Sequence, residues 1–161
     1  MLLNLELSNV LAVLALAASP ICELRGAIPV AITGFHIPWY YAFLLAIIGN
    51  LFPVPFLLLF LNTFSRFLSR VSILNRMFHW LSERTKRRGR LITRYERIGL
   101  VLFVAIPLPV TGAWTGSLAA VLFGLRFKQA FFSIFIGILI AGIIVTCATL
   151  FGWAILGLLS R

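Results

Sequence analysis

Glu23 and Arg25 stand two residues apart in the run Glu23-Leu24-Arg25-Gly26-Ala27-Ile28-Pro29, inside otherwise apolar sequence. The chain has four acids: Glu6 lies near the start, Glu83 and Glu96 lie in a basic region, and Glu23 alone falls among apolar residues. A charge at membrane depth costs on the order of 3 kcal/mol unless it is paired or hydrated, so an ionisable residue there is a functional candidate by default. Burial favours the neutral acid, and the neighbouring Arg25 favours the carboxylate. A carboxyl balanced between these influences can carry a proton. Arg25 can bind an anionic group, aided by the free N–H groups of half-helix N-termini. The alternative for both residues is a structural ion pair that holds a turn.

A second cluster is Pro107-Leu108-Pro109-Val110-Thr111-Gly112-Ala113-Trp114-Thr115-Gly116. Proline stops a helix there, Gly112 is expected to allow an unusual turn, and Thr111, Thr115 and Ser117 supply hydroxyls. Backbone groups freed at membrane depth are tolerated only where protein or a watery cavity receives them. Gly112 and Gly116 also permit close helix packing, which is the alternative reading. The candidate substrate or proton site is therefore Glu23, Arg25, Gly26 and Pro29 with Pro107, Pro109, Thr111, Gly112, Trp114 and Thr115. Asn50, just before Pro53 and Pro55, is expected to bond carbonyls freed by a kink. Trp39, Tyr40 and Tyr41 read as an interface belt, and His36 and His79 as interfacial and inert.

No catalytic constellation accompanies these residues. There is no Ser/His arrangement and no pair of acids, and one glutamate cannot do two-carboxylate chemistry. Cys22 and Cys147 are far apart in apolar surroundings, without a CxxC or a Cys/His cluster, so no metal, no cofactor and no disulfide framework is expected. The expectation is not an enzyme.

The elements that must position the two clusters follow from composition. The chain has 161 residues, 61% hydrophobic and 11% charged, with a mean hydropathy of +1.07. This is too apolar for a soluble domain of that size and points to one all-α membrane domain. Strand-period alternation of the kind a barrel needs is absent from the sequence. The net charge is +10, and ten of the fourteen Lys and Arg fall between Arg66 and Arg97. That concentration between apolar regions reads as a cytoplasmic segment touching anionic lipid, with no nucleic acid implied. Leu11–Ala18 resembles a signal-peptide core, but the first eight residues carry no Lys or Arg, which favours a retained membrane segment.

Four apolar regions emerge. The first, about 7–35, is broken by Ser19-Pro20 and by the Glu23–Gly26 cluster. The second, about 39–64, contains Pro53 and Pro55. The third, about 98–125, is broken at Pro107–Gly112. The fourth, about 130–159, has no proline. Each arm of the third region is too short to cross a core about 30 Å thick. If that region crossed, Arg126 and Lys128 would lie opposite the other cations, so the positive-inside rule favours a re-entrant hairpin. The resulting organisation is a first repeat over 1–65 (hairpin, then span), a basic amphipathic linker over 66–97, and a second repeat over 98–161 (hairpin, then span). Phe67, Val71, Leu74, Phe78 and Leu81 give the linker an apolar face. Ala42-Phe43-x5-Gly49 matches Ala130-Phe131-x5-Gly137 at an offset of 88. This fits two inverted repeats with a site at the bilayer midplane.

The two clusters resemble the signatures of the small multidrug export family, over nearly the whole chain, with Val110 where a glycine is expected. That family looks distantly related to the DedA/VTT superfamily, whose members resemble lipid transporters and scramblases. The superfamily implies two facing re-entrant hairpins, each followed by a span, and gives Glu23 and Arg25 the site role of the first hairpin. Many DedA proteins carry arginines in the second hairpin; this chain has none between Gly99 and Leu125, which weakens the case for phosphate-headgroup binding there. The expectation is a multi-pass cell-membrane transporter of a lipid or amphiphilic small molecule, with proton coupling through Glu23. An energy-independent lipid scramblase and a membrane assembly factor without substrate are the alternatives. Membrane lipids are the expected partners, and a homodimer is left open.

Overall fold

The computed structural model describes residues 6–68, 89–107 and 111–159. Every regular element among them is helical: α1 (Leu7–Ala18), α2 (Glu23–Pro29) running into a π-helical turn (Val30–Gly34), α3 (Trp39–Leu51), α4 (Pro53–Leu68), α5 (Gly89–Ala105), α6 (Ala113–Leu122) and α7 (Phe127–Leu159). Two continuous stretches are long and apolar enough to cross a membrane, Trp39–Leu61 through α3 and α4, and Phe127–Ile155 in α7. Their exposed faces are as apolar as their cores. Leu44, Ile48, Phe52, Phe56 and Phe60 follow one another at steps of four and are all exposed, as are Phe132, Ile136, Ile140 and Ile144. A soluble helix puts polar groups on its outer face, whereas a face of this kind is matched to lipid.

The chain divides into two compact units, Met1–Pro53 with Ile138–Arg161, and Val54–Gly137. In the first, α1, α2 and α3 pack on one another through small residues. α3 turns Ala42, Ala46 and Gly49 toward its neighbours, all fully buried or nearly so. A Cβ on Gly49 would stand 2.8 Å from the Ala17 Cβ and 2.8 Å from the Leu14 carbonyl oxygen, so α1 and α3 meet backbone to backbone there. On another face of α3, Phe43 and Ile47 lie against Gly142 of α7. Such small-residue contacts are how helices associate where no hydrophobic effect drives them together. Trp39, Tyr40 and Tyr41 pack in succession at the start of α3, the first pair edge to face and the second tilted, as a belt at an interface would.

In the second unit, Val104 of α5 is gripped from two sides. A Cβ on Gly116 of α6 would fall 2.5 Å from its Cγ2, and one on Gly137 of α7 would fall 2.7 Å from its Cβ and 3.0 Å from the Val101 carbonyl oxygen. The Gly137 contact is the counterpart of the Gly49 contact. Leu14 and Val101, Ala17 and Val104, and Pro20 and Pro107 are each 87 positions apart, and the two glycines 88. The buried faces of α2 with its π turn and of α6 also correspond: Leu24, Ala27, Ile28 and Ala31 in the former, Ala113, Gly116, Ser117 and Ala120 in the latter, each pair 89 apart. The faint sequence match thus coincides with equivalent packing in each unit.

Most of the basic linker, residues 69–88, lies outside the described residues, so its amphipathic face is not seen. α5 begins at Gly89 and runs unbroken to Ala105, so it takes in the end of the basic segment as well as the start of the third apolar region. The basic positions Arg90, Arg94 and Arg97 therefore share one helix with the apolar arm, because no proline or glycine pair between Gly89 and Gly99 interrupts it.

Candidate functional site

The first tip is built by Ser19. Its extended backbone (ψ 145) is what a following proline demands. Its hydroxyl donates to the Leu16 carbonyl at 2.8 Å and accepts from the Cys22 N–H at 3.2 Å, which closes the end of α1 and starts the turn. The chain re-enters helix at Glu23, whose φ of 50 lies in the left-handed region. For a residue with a Cβ this costs about 1–2 kcal/mol, and strained backbone of this kind clusters at functional sites. A regular helix keeps residues i and i+2 on different faces; the departure at Glu23 lets the pair approach. Arg25 Nη2 lies 3.8 Å from Glu23 Oε2, with the Glu23 side chain 10% and the Arg25 side chain 22% exposed. That separation is an ion pair beyond hydrogen-bond length.

Gly26 is held tightly as well, since a Cβ there would sit 3.1 Å from the Cys22 Cβ. Pro29 lies inside α2 and has no N–H to send back to Arg25. The π turn follows at once, with Phe35 N–H donating to Val30 at 3.0 Å and Thr33 Oγ1 donating to the Pro29 carbonyl at 2.8 Å. Wide turns of this type are frequent at functional sites. Glu23, Arg25, Gly26 and Pro29 are thus brought together on one short element of the first unit.

The second tip belongs to the other unit and is organised by its hydroxyls. Thr111 Oγ1 donates to the Ile106 carbonyl at 2.8 Å, drawing the turn closed. Thr115 Oγ1 accepts from the Gly112 N–H at 3.0 Å, and Ser117 Oγ donates to the Ala113 carbonyl at 2.7 Å. These hydroxyl protons and lone pairs serve the chain's own backbone first. Gly112 is extended (φ 174) rather than left-handed. The left-handed glycine of this unit is Gly124 (φ 69), which ends α6 with Leu125 N–H bonded to Ala120 and Gly124 N–H to Val121. Pro107, Thr111, Gly112, Trp114 and Thr115 surround the second tip, and Pro109 lies outside the described residues.

Asn50 departs from its expected role. It is completely buried on α3, and neither Nδ2 nor Oδ1 has a hydrogen-bond partner, so it does not bond the carbonyls freed by Pro53 and Pro55. Thr146 Oγ1, on the α7 face that Gly142 turns to α3, is likewise buried and unpartnered. An amide buried without partners destabilises the fold. Asn50→Leu should therefore raise stability by about 1–2 kcal/mol, read as a higher melting midpoint in detergent. A lower midpoint would mean that the amide is satisfied in the membrane.

The helices, their lipid-matched faces and the small-residue packing define a small α-helical integral membrane protein. A family model described as "Putative small multi-drug export protein" matches residues 23–144, and the chain belongs to this family. The match starts at Glu23 and takes in both tips. No curated protein and no solved structure matches the chain.

Proposed function

We propose that this protein is a small membrane transporter that exports a lipid or another amphiphilic molecule, with proton coupling through Glu23. The observation that carries this reading is the Glu23 carboxyl. It is 7% exposed as a residue, set on left-handed backbone, and placed at the turn between two helical arms too short to cross a bilayer. α1 has twelve residues, and α2 with its π turn has seven and five, about 18 Å each at 1.5 Å per residue against a core of about 30 Å. A buried carboxyl at such a turn has a use in moving a proton or a cationic group and little use in packing. The family description, which is of export, supports transport as the activity.

The re-entrant arrangement is part of the same proposal. Support comes from the second unit, where Arg97, before the hairpin, and Lys128, after it, line one cleft. A segment that leaves and returns to the same face is a hairpin. The corresponding contacts of Gly49 and Gly137 support two repeats, and the pattern of hairpin followed by span is that of the DedA/VTT proteins. The substrate is handled at the tips, by Glu23, Arg25, Gly26 and Pro29 in one repeat and by Pro107, Pro109, Thr111, Gly112, Trp114 and Thr115 in the other.

Topology is tested by single cysteines at Ser82 and Gln129, in a background lacking Cys22 and Cys147, labelled with an impermeant reagent. Both should label from the cytoplasmic side; labelling from opposite sides would rule out the re-entrant reading. Function is tested in proteoliposomes by following a labelled amphiphile with and without an imposed pH gradient. Flux that rises with the gradient is the expected result. Equal flux in both conditions would identify an energy-independent scramblase, and no flux an assembly factor.

A further inference from the structure

We propose that the cleft between the middle of α5 and the first turns of α7 is a binding site for one anionic phospholipid, held by its headgroup at Arg97 and Lys128. This site is distinct from the tips. It rests on the topology proposed above, which puts Arg97 and Lys128 on the cytoplasmic side, and not on transport.

The cleft follows from how the two helices diverge. They touch at Gly137 against Val101 and Val104. From there toward their N-terminal ends they open a cleft of about 530 Å³ lined by Arg97, Ile98, Val101, Lys128, Gln129, Phe132, Ser133 and Ile136. The lining is graded along its length. On α7, positions 128, 129, 132, 133 and 136 share one helical face: the cation Lys128 and the amide Gln129 come first, then exposed Phe132 beside buried Ser133, then exposed Ile136. On α5, Arg97 is followed on the same face by Ile98 and Val101. The polar end therefore offers two cations and an amide, and the rest of the lining is hydrocarbon apart from the Ser133 hydroxyl.

Two features select an anion at the polar end. Arg97 can grip a phosphate with two parallel N–H groups, and Lys128 adds a point charge. The first turn of α7 begins at this place. Ala130 is the first residue whose N–H reaches back, to the Arg126 carbonyl at 2.9 Å, so the N–H groups ahead of it face outward at the positive end of a helix of 33 residues. A free anion would satisfy this end alone and leave Val101, Phe132 and Ile136 uncovered. An acyl chain attached to the headgroup covers them. Basic pockets between membrane helices on the cytoplasmic side bind lipid headgroups in this manner.

The test is native mass spectrometry of the purified full-length protein with phosphatidylglycerol and phosphatidylcholine added at equal concentration. The wild type should retain phosphatidylglycerol preferentially. Arg97→Gln with Lys128→Gln should lower that preference by about thirtyfold, from about 1 kcal/mol per basic residue at the surface. Arg84→Gln with Arg87→Gln removes the same charge from the basic segment and should leave the preference nearly intact. Equal losses in the two double variants would overturn the site and assign lipid selection to the basic segment as a whole. Glycerol phosphate should compete poorly; displacement of lipid by it at similar concentration would show an anion site without need of the chain. If the cleft variant does not fold, Phe132→Trp reports in its place. Its added emission should be quenched more by chain-brominated phosphatidylglycerol than by the brominated choline lipid, and equal quenching would sink the proposal.

Discussion

Glu23→Gln should abolish pH-driven transport while leaving the protein folded. Glutamine keeps the size of the side chain and its hydrogen-bonding capacity but fixes the uncharged form. The fall in gradient-driven uptake should be about tenfold or more, as for removal of a group on which the coupled step depends, and exchange without a gradient should persist. Glu23→Asp should retain part of the activity. Arg25→Ala separates two roles for the pair: if Arg25 serves an anionic substrate, uptake weakens at an unchanged melting midpoint, whereas if the pair only holds the turn, the midpoint falls. The two groups stand 3.8 Å apart, and uptake measured beside the melt decides between the two roles. Full gradient-driven uptake by a stable Glu23→Gln protein would falsify the proton role.

The second large effect is on stability. Gly49→Ala and Gly137→Ala should each destabilise the protein by about 1–3 kcal/mol, the usual range for overpacking a close contact. In each case the new methyl meets a backbone carbonyl as well as a side chain, at 2.8 Å from Leu14 in one and 3.0 Å from Val101 in the other. A carbonyl in a helix cannot turn aside, so the helices must separate. Gly152→Ala is the control: nothing lies within 4 Å of its Cβ position, and alanine there should gain about 0.8–1 kcal/mol from helix propensity. Thermal melts of the three variants in one detergent would check the order. A Gly49→Ala protein as stable as Gly152→Ala would mean that α1 and α3 do not meet closely.

Much of this was legible in the sequence for particular reasons. Serine and proline together mark the first tip, since Ser19-Pro20 disfavours a continued helix, and a lone carboxyl in an apolar run is conspicuous. The bland composition of α3 and α7 fixes their length but conceals their packing. Nothing in the letters says that Gly49 and Gly137 touch arms at corresponding places, because a glycine's neighbours are set by tertiary contact. The left-handed backbone at Glu23 and the π turn after Pro29 were also hidden, as each depends on how α2 seats between α1 and α3 rather than on local preference. Asn50 misled for a similar reason: its position before two prolines suggested a local bond, while its burial is decided by the other helices. The Arg97–Lys128 cleft escaped notice because its cations were accounted for by the general rule for basic segments.

The division of the chain into units has one more consequence. The boundary falls after Pro53 in one long helical stretch and after Gly137 in the other, so each membrane-capable stretch supplies residues to both units. A cut anywhere between the two stretches would part helices that belong to one unit: Phe43 and Ile47 would go with the first fragment and Gly142, against which they lie, with the second. Neither fragment then holds a complete unit, and the two should regain a stable fold only when they are produced together.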